Sequence, residues 1–179
     1  MKKNEVLETM EKRSSVRAYR EKEITQEMLE TILTAGLQAP TATNRQEIRF
    51  SIVRGNNPVL AELDAEKRKM RDEGKQPHNF YYEAPALIFV SAEDGFKWSE
   101  LDAGIAVQNM ALAAKSLGLG SLIIGCIYDA LRGERKTYFD RKLKIPEGYS
   151  FQIAVAIGYS NDTKEPHKYE WNRQVTVVE

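Results

Sequence analysis

The stretch from Ser99 to Cys126, SELDAGIAVQNMALAAKSLGLGSLIIGC, is the most strongly patterned part of the chain. Its first half predicts a helix that is apolar on nearly all sides, and such a helix needs protein around it. Ser99 is expected to cap this helix together with Asp102, and Gly118 stands where a left-handed residue ends a helix. The run that follows, up to Cys126, predicts a tight turn and then a buried strand. This stretch therefore indicates a packed core that contains both helix and sheet.

The glycines of this stretch do not form a nucleotide-binding motif. A dinucleotide fingerprint places its glycines after a strand and at the start of a helix, whereas here they follow a helix and open a strand. A phosphate-binding loop of the nucleotidase kind needs Lys-Ser or Lys-Thr after its last glycine, and this chain has Cys126-Ile127. The glycines predict a helix stop and close packing instead.

The composition predicts one soluble globular domain over residues 1–179, with 42% apolar and 29% charged residues. No apolar run is long enough to span a membrane and the N-terminus has no signal core, so we expect a cytoplasmic protein. A formal net charge of zero argues against nucleic-acid binding. One cysteine and two distant histidines, His78 and His167, give no disulfide and no metal-ligand spacing. We therefore expect no metal.

The segment Arg13-Ser14-Ser15-Val16-Arg17 follows a predicted helix over residues 3–13. Guanidinium groups bind oxyanions through paired donors, and the hydroxyls of Ser14 and Ser15 fill the remaining positions, so the segment suits a phosphate group. A solvated helix terminus is the alternative. The loop Pro40–Gln46 offers neutral hydrogen-bonding side chains, including Thr41, Thr43 and Asn44. These suit either the edge of a ligand or the backbone groups of the loop itself.

The remaining pattern predicts an alternation of helices and strands. Helices are expected over residues 25–37, with Thr25 as N-cap, 58–75 and 129–144, and strands over 48–54, 86–90, 121–127, 151–158 and 175–178. The strand at 175–178 has no neighbour in sequence, so it must pair with a distant strand or another subunit. The aromatic linker over residues 76–82 suits a lid over a planar ligand, or ordinary packing.

Six motifs occur in one order: Arg13-Ser14-Ser15-Val16-Arg17, Ala39-Pro40-Thr41-Ala42-Thr43-Asn44-Arg45-Gln46, Ala84-Pro85-Ala86-Leu87-Ile88, Leu101-Asp102-Ala103-Gly104-Ile105, Leu117-Gly118-Leu119-Gly120 and Ala156-Ile157-Gly158-Tyr159. With them the chain resembles the FMN-dependent nitroreductase family over nearly its whole length. The resemblance implies an α+β sandwich, with a central, mostly antiparallel sheet flanked by helices. It also implies an intertwined homodimer with two FMN sites at the subunit interface.

The resemblance implies that side chains at both ends of the chain hold the FMN phosphate and ribityl group. The N-terminal set is Arg13, Ser14, Ser15 and Arg17. The family also has a basic contact in the tail, for which Lys168 is chosen over His167 and Arg173.

The resemblance places the flavin ring between two further segments. Thr41, Thr43 and Asn44 match a loop that reaches the flavin from the other subunit, and the backbone of Ile124 and Gly125 matches the approach to the flavin nitrogen that accepts hydride. The chain departs from the family pattern where Thr41 replaces serine and Glu47-Ile48 replaces proline-tryptophan. A short segment between Gly125 and the last long strand also implies a reduced substrate cover.

The expected function is an FMN-dependent oxidoreductase with no catalytic side chain, because the cofactor carries the hydride chemistry. Hydride would pass from NADH or NADPH through bound FMN to a nitroaromatic, quinone or similar conjugated small-molecule acceptor by a ping-pong mechanism. One alternative is a flavin-binding storage, sensor or partner-binding protein without efficient turnover. Another is a related reductive dehalogenase or a flavin-breakdown activity.

Overall fold

The computed structural model describes residues 4–71 and 76–178. Its four strands are β1 (Arg49–Arg54), β2 (Ala86–Glu93), β3 (Gly120–Ile124) and β4 (Tyr149–Gly158). They form an antiparallel sheet in the order β1-β2-β4-β3. The predicted antiparallel sheet flanked by helices is therefore confirmed.

Helices occupy both faces and the ends of this sheet. They are α1 (Glu5–Lys12), α2 (Gln26–Leu37), α3 (Pro58–Met70), α4 (Ser99–Ser116), α5 (Tyr128–Arg132), α6 (Lys136–Leu143) and α7 (Trp171–Gln174), with a 3-10 turn at Ala42–Asn44. The predicted extension of α3 to residue 75 falls on residues outside the described part of the chain. Among the described residues, no helix is both long and apolar enough to cross a membrane.

Two apolar cores lie on opposite faces of the sheet. Side chains alternate along β2, so Leu87 and Phe89 belong to one core while Ile88 and Val90 belong to the other. The first core is completed by α3, α5 and α6, and the second by α2 and α4. Because both faces are covered, β2 and β4 are buried along nearly their whole length, as their continuous apolar runs predict.

The two ends of α4 show different outcomes for the sequence prediction. Trp98 precedes the helix without a side-chain cap, and the Ser99 hydroxyl donates instead to the carbonyl oxygen of Glu93 at 2.9 Å. The predicted Ser99 and Asp102 cap was therefore wrong, because both side chains bond to other segments. At the other end Gly118 has φ +77°, so the predicted left-handed helix stop is confirmed.

The described residues leave one face of α4 uncovered, so they do not by themselves supply the protein expected around this helix. Leu101 is 56% exposed, and Ile105 and Leu112, which follow it at helical spacing, are only partly buried. Gly104 lies on the same face, and a Cβ placed there would meet no atom within 4 Å. This face is an apolar surface with a shallow gap at Gly104.

Two other elements differ from the prediction. The helix expected over residues 129–144 is divided into α5 and α6 near Gly133, where a Cβ would lie 2.9 Å from the carbonyl oxygen of Asp129. Residues 175–178 form no strand within the described chain, and Val177 and Val178 are exposed.

Candidate cofactor site

A cavity of about 230 Å³ lies where the end of α1 meets the start of β3. Its lining includes cationic and hydroxyl side chains that can bind an oxyanion, among them Lys12, Arg13, Ser14 and Lys164. Arg13 is the residue that ends α1, and its backbone N–H still donates to Thr9 at 2.9 Å. The donor set of this cavity therefore fits a phosphate group.

The segment after α1 is held against the free edge of β3. Ser15 forms a parallel bridge with Ser121, and the Val16 N–H donates to the Ser121 carbonyl oxygen at 2.9 Å. A Cβ at Gly120 would lie 2.7 Å from Cγ2 of Val16, so only glycine permits this approach. The contact orders the backbone of Ser15 and, with it, the side chains on either side.

The chain that leaves β4 brings a lysine to the same cavity. Nζ of Lys164 donates to the Ser15 carbonyl oxygen at 2.5 Å and lies 3.3 Å from the Asp162 carboxylate. The Asn161 N–H donates to the Ala18 carbonyl oxygen at 2.8 Å, which fixes the start of this segment. Lys168, the basic tail residue chosen from the sequence, is exposed and does not line this cavity.

A second cavity of about 500 Å³ begins further along β3. It is lined by the residues that end the strand, Ile123, Ile124, Gly125 and Cys126, and by Arg17. The aromatic linker supplies His78, Phe80 and Tyr82, and α3 supplies Lys67 and Arg71. Because Arg17 lies here, the structure separates it from Arg13 and Ser14, which line the smaller cavity.

The aromatic linker is held in place by a buried acid on α3. Asp64 accepts from Nε of Arg68 at 2.6 Å and from the Phe80 N–H at 3.0 Å. Arg68 also donates from Nη2 to the His78 carbonyl oxygen at 2.8 Å. The His78 and Tyr82 rings then meet with their centroids 4.3 Å apart. The linker is therefore a fixed aromatic wall, in which Phe80 is buried and Tyr82 remains partly exposed.

Gly125 is the point where the backbone of β3 turns towards the large cavity. The pairing of β3 with β4 ends at Ile124 and Ala154, one residue before it. A Cβ on Gly125 would meet no atom within 4 Å, so the space beside this residue is open. The backbone here is accessible to a planar ligand without a side chain in the way.

The loop that carries Thr41, Thr43 and Asn44 lies outside both cavities of this chain. Thr43 and Asn44 have φ of 56° and 55°, a left-handed conformation that costs energy for residues with a Cβ. The Thr41 hydroxyl accepts from the Gln46 N–H at 3.0 Å, and the Ala42 N–H donates to Oδ2 of Asp102 at 2.9 Å. The loop is thus fixed to the first turn of α4, which also carries the exposed Leu101.

Five of the predicted site residues line these cavities, namely Arg13, Ser14, Arg17, Ile124 and Gly125. Among the lining residues that were not predicted are three basic side chains, those of Lys164, Lys67 and Arg71. Lys164 comes shortly after β4. The bridge between Tyr19 and Ser160 extends β4 along the segment after α1, so a basic residue shortly after Ser160 was the signal that could have identified Lys164. Lys67 and Arg71 were interpreted as part of a solvated helix face, and nothing in their spacing distinguishes a cavity wall from such a face.

Two solved structures are similar to this chain over their full length. A nitroreductase with bound FMN from Desulfitobacterium hafniense is 31% identical, has a TM-score of 0.89, and is matched over 99% of this chain and 100% of that one. A nitroreductase with bound FMN from Bacteroides fragilis is 32% identical with the same TM-score and the same shares covered. Their similarity extends through both cavities, since it covers nearly every residue.

Sequence comparison gives the same family. An Archaeoglobus fulgidus protein, provisionally named NADH dehydrogenase/NAD(P)H nitroreductase, is 32% identical over 167 residues, which cover 90% of this chain and 88% of that protein. The family description "Nitroreductase family" matches residues 10–159. This range contains the segment after α1, the loop at residues 41–46, α4 and the end of β3, and the chain belongs to the nitroreductase family.

Proposed function

We propose that this protein is an FMN-dependent oxidoreductase that uses NADH or NADPH to reduce a conjugated small-molecule acceptor. The observation that carries the proposal is the succession of two cavities along the same pair of segments. Arg13 and Ser14 line a small cationic cavity, and Arg17 and Gly125 line a larger, partly aromatic one. A molecule with a phosphate at one end and a planar ring at the other fits this order.

The residues present fit FMN by their chemistry. Arg13, Ser14 and Lys164 would hold the phosphate, and Ser15 would present its side chain from the bridge to β3. Arg17, Ile124 and Gly125 would face the ring, with cationic charge from Arg17 and an open backbone at Gly125. Lys168 stays a predicted contact, and it would have to reach the cofactor from the exposed tail.

Bound FMN would supply the hydride chemistry. The contribution of the chain is to orient the cofactor, to keep its reactive edge accessible, and to place a positive charge near it. This positive charge would come from Arg17, a predicted site residue that lines the large cavity together with Gly125. Donor and acceptor would both have to reach the cofactor ring through the large cavity beside Gly125, so they would occupy it in turn. We propose a nitroaromatic or quinone acceptor and ping-pong kinetics on this basis.

We also propose that two copies of the chain form an intertwined homodimer. The exposed face of α4 supports this, because an apolar helix face with a gap at Gly104 suits close approach by another helix. Glycine inside a helix costs about 0.5 to 1 kcal/mol relative to alanine. Within the described chain nothing fills the space beside Gly104. A second copy would fill that space.

The dimer would also bring the remaining predicted residues to the cofactor. Thr41, Thr43 and Asn44 lie next to this face, away from the cavities of their own chain, as a loop that serves the other subunit would. Residues 175–178 would find a partner strand on the second copy, where β1 is an edge strand. A single domain over residues 1–179 and a cytoplasmic location remain part of the proposal.

An absorbance spectrum of the purified protein tests the function directly. The protein should be yellow, and its flavin absorbance should bleach anaerobically on addition of NADH or NADPH and return when a quinone or nitroaromatic compound is added. A yellow protein whose colour persists under excess of both donors would favour a flavin-binding protein without turnover. A colourless protein that does not quench FMN fluorescence would contradict the proposal altogether.

A further inference from the structure

Glu47 has a buried carboxyl group whose oxygens no described residue hydrogen-bonds. It lies between the loop at residues 41–46 and β1, and only 3% of the residue is exposed. Neither Oε1 nor Oε2 has a hydrogen-bond partner among the described residues. An ionised carboxylate without partners is very costly to bury, whereas a neutral carboxylic acid can itself donate a hydrogen bond. The side chain therefore needs an acceptor beside it.

Asp102 is the acidic neighbour that meets this need. It lies in the first turn of α4 and is 2% exposed, and its Oδ2 accepts from the Ala42 N–H at 2.9 Å. Asp102 thus already holds the loop at one point, through the backbone of Ala42. Its carboxylate can accept a second hydrogen bond, because each oxygen has two lone pairs.

The two arginines nearest to Glu47 in the sequence are already engaged. Arg45, on the loop, donates to Oε2 of Glu93 on β2 at 2.9 Å from Nε and at 2.6 Å from Nη2. Arg49, on β1, donates to the carbonyl oxygens of Gln46 and Ile48 at 3.0 and 2.9 Å. Neither guanidinium group therefore gives Glu47 a hydrogen bond. Burial raises the pKa of Glu47 and the neighbouring Asp102 raises this pKa further, whereas the nearby backbone N–H of Glu47 and the charge of Arg45 lower it.

We propose that Glu47 is a positioning residue whose protonated carboxyl group donates to Asp102, so that the two side chains share one proton and hold the loop at residues 41–46 against α4. The pair itself needs no cofactor. Its effect on FMN binding rests on the proposed function, since that function assigns the loop to the cofactor.

The shared proton determines the direction in which the stability of the protein changes with pH. A glutamate with a raised pKa in the folded protein contributes stability below its ordinary pKa, and that contribution is lost as pH rises through the raised value. Above that value two negative carboxylates face one another, and only the Ala42 N–H remains to hold Asp102. The loop should therefore loosen on the alkaline side of the ordinary glutamate range.

Melting temperatures of the flavin-free protein between pH 5 and pH 9 test the pair without any assumption about the cofactor. Glu47→Gln keeps the size of the side chain and an N–H donor to Asp102 but cannot lose a proton. The wild type should lose at least about 2 to 4 °C relative to this variant as pH rises. Glu100→Gln, an exposed acid in the same turn of α4, is the matched control and should follow the wild-type curve.

The opposite slope, with wild type gaining on Glu47→Gln as pH rises, would show an ionised Glu47 paired with a cation, for instance on a second copy. That result would overturn the proposal, and so would parallel curves. If the variant does not fold, the infrared band of a protonated carboxylic acid in the wild type decides. We expect it to persist above the pH at which exposed acids ionise and to be lost at lower pH in Asp102→Asn. Its absence at neutral pH would contradict the shared proton.

FMN affinity measured over the same pH range tests the second step. The affinity of the wild type should fall at alkaline pH while that of Glu47→Gln stays level. Failure to bind FMN at any pH would contradict the proposed function and leave the melting curves as the test of the pair. Level affinity in the wild type, together with the expected melting curves, would show that the pair does not act on the cofactor.

Discussion

The N–H of Val16 donates to the carbonyl oxygen of Ser121 at 2.9 Å, and this bond joins the segment after α1 to the free edge of β3. Gly120 allows the contact, because a Cβ there would lie 2.7 Å from Val16. The residues on either side of the bond line different cavities: Arg13 and Ser14 the smaller, Arg17 the larger. The cationic end and the ring end of the proposed site thus depend on one backbone contact.

Replacement of Arg13 tests the cationic end. A hydrogen bond to a charged group contributes about 1.5 to 3 kcal/mol, so Arg13→Ala should weaken FMN binding roughly 10- to 150-fold. Fluorescence quenching of FMN measures this. Lys97→Ala removes a cation that lies over the Trp98 ring and lines neither cavity, so its affinity should stay at the wild-type value. Equal losses in the two variants would point to general electrostatic attraction.

Lys164 and Lys168 can be separated by the same measurement. Both lysines are exposed, but Lys164 lines the phosphate cavity and donates to the Ser15 carbonyl oxygen, whereas Lys168 does not line the cavity. Lys164→Ala should therefore weaken FMN binding about tenfold or more. Lys168→Ala should change it by less than about threefold, because an exposed cation that does not line the cavity contributes little. A larger effect for Lys168 would support the sequence prediction and place the tail at the phosphate.

Local patterns in the sequence predicted the elements whose causes are local. Thr25 caps α2, with its hydroxyl accepting from the Met28 N–H at 3.2 Å, and Gly118 ends α4 as expected. Ser99 fits the capping pattern equally well, yet its hydroxyl bonds to Glu93 six residues away. A hydrogen bond to another segment took the place of the predicted cap, and the spacing of residues within a helix does not predict such a bond. Lys164 was missed for the same reason, since its neighbour Ser15 is 149 positions distant.

The resemblance to a family favoured one of the alternatives that the residues alone left open. The segment at residues 13–17 and the loop at 41–46 each fitted a ligand site and an ordinary terminus or loop. The structure places the first on a cavity and the second beside α4, with Thr43 in a left-handed conformation that is uncommon for a β-branched residue. Glu47 was noted as a departure from the family, but its burial depends on α4 and could not be read from the sequence.

Leu101→Glu tests the proposed homodimer. The change places a charge on the exposed apolar face of α4, where it would be buried by a second copy but remains solvated in a monomer. Light scattering should give a dimer mass for the wild type and a monomer mass for the variant. Met70→Glu, at an exposed apolar residue on α3, should remain dimeric. A wild type that is monomeric with FMN bound would contradict the dimer.

Gly125→Val tests the access of the backbone to the cofactor ring. A Cβ here would meet no protein atom within 4 Å, so the variant should fold with a nearly unchanged melting temperature. The added side chain would occupy the large cavity, so anaerobic reduction by NADH or NADPH should slow at least about tenfold, or roughly 1.4 kcal/mol in barrier. Stopped-flow absorbance measures the rate. An unchanged rate would indicate that the reacting edge of the cofactor does not lie at Gly125.

Steady-state kinetics test whether donor and acceptor alternate in the large cavity. The space beside Gly125 is about 500 Å³, and the proposal has both substrates use it. With the donor varied at several fixed acceptor concentrations, double-reciprocal plots should give parallel lines, as for substituted-enzyme reactions. No side chain is required as a general base, so His78→Ala, His167→Ala and Cys126→Ser should each keep the rate of reduction within about tenfold of the wild type. Intersecting lines would mean that donor and acceptor are bound together. A loss of reduction rate well beyond tenfold in His78→Ala would mean that a side chain of the cavity takes part in proton transfer.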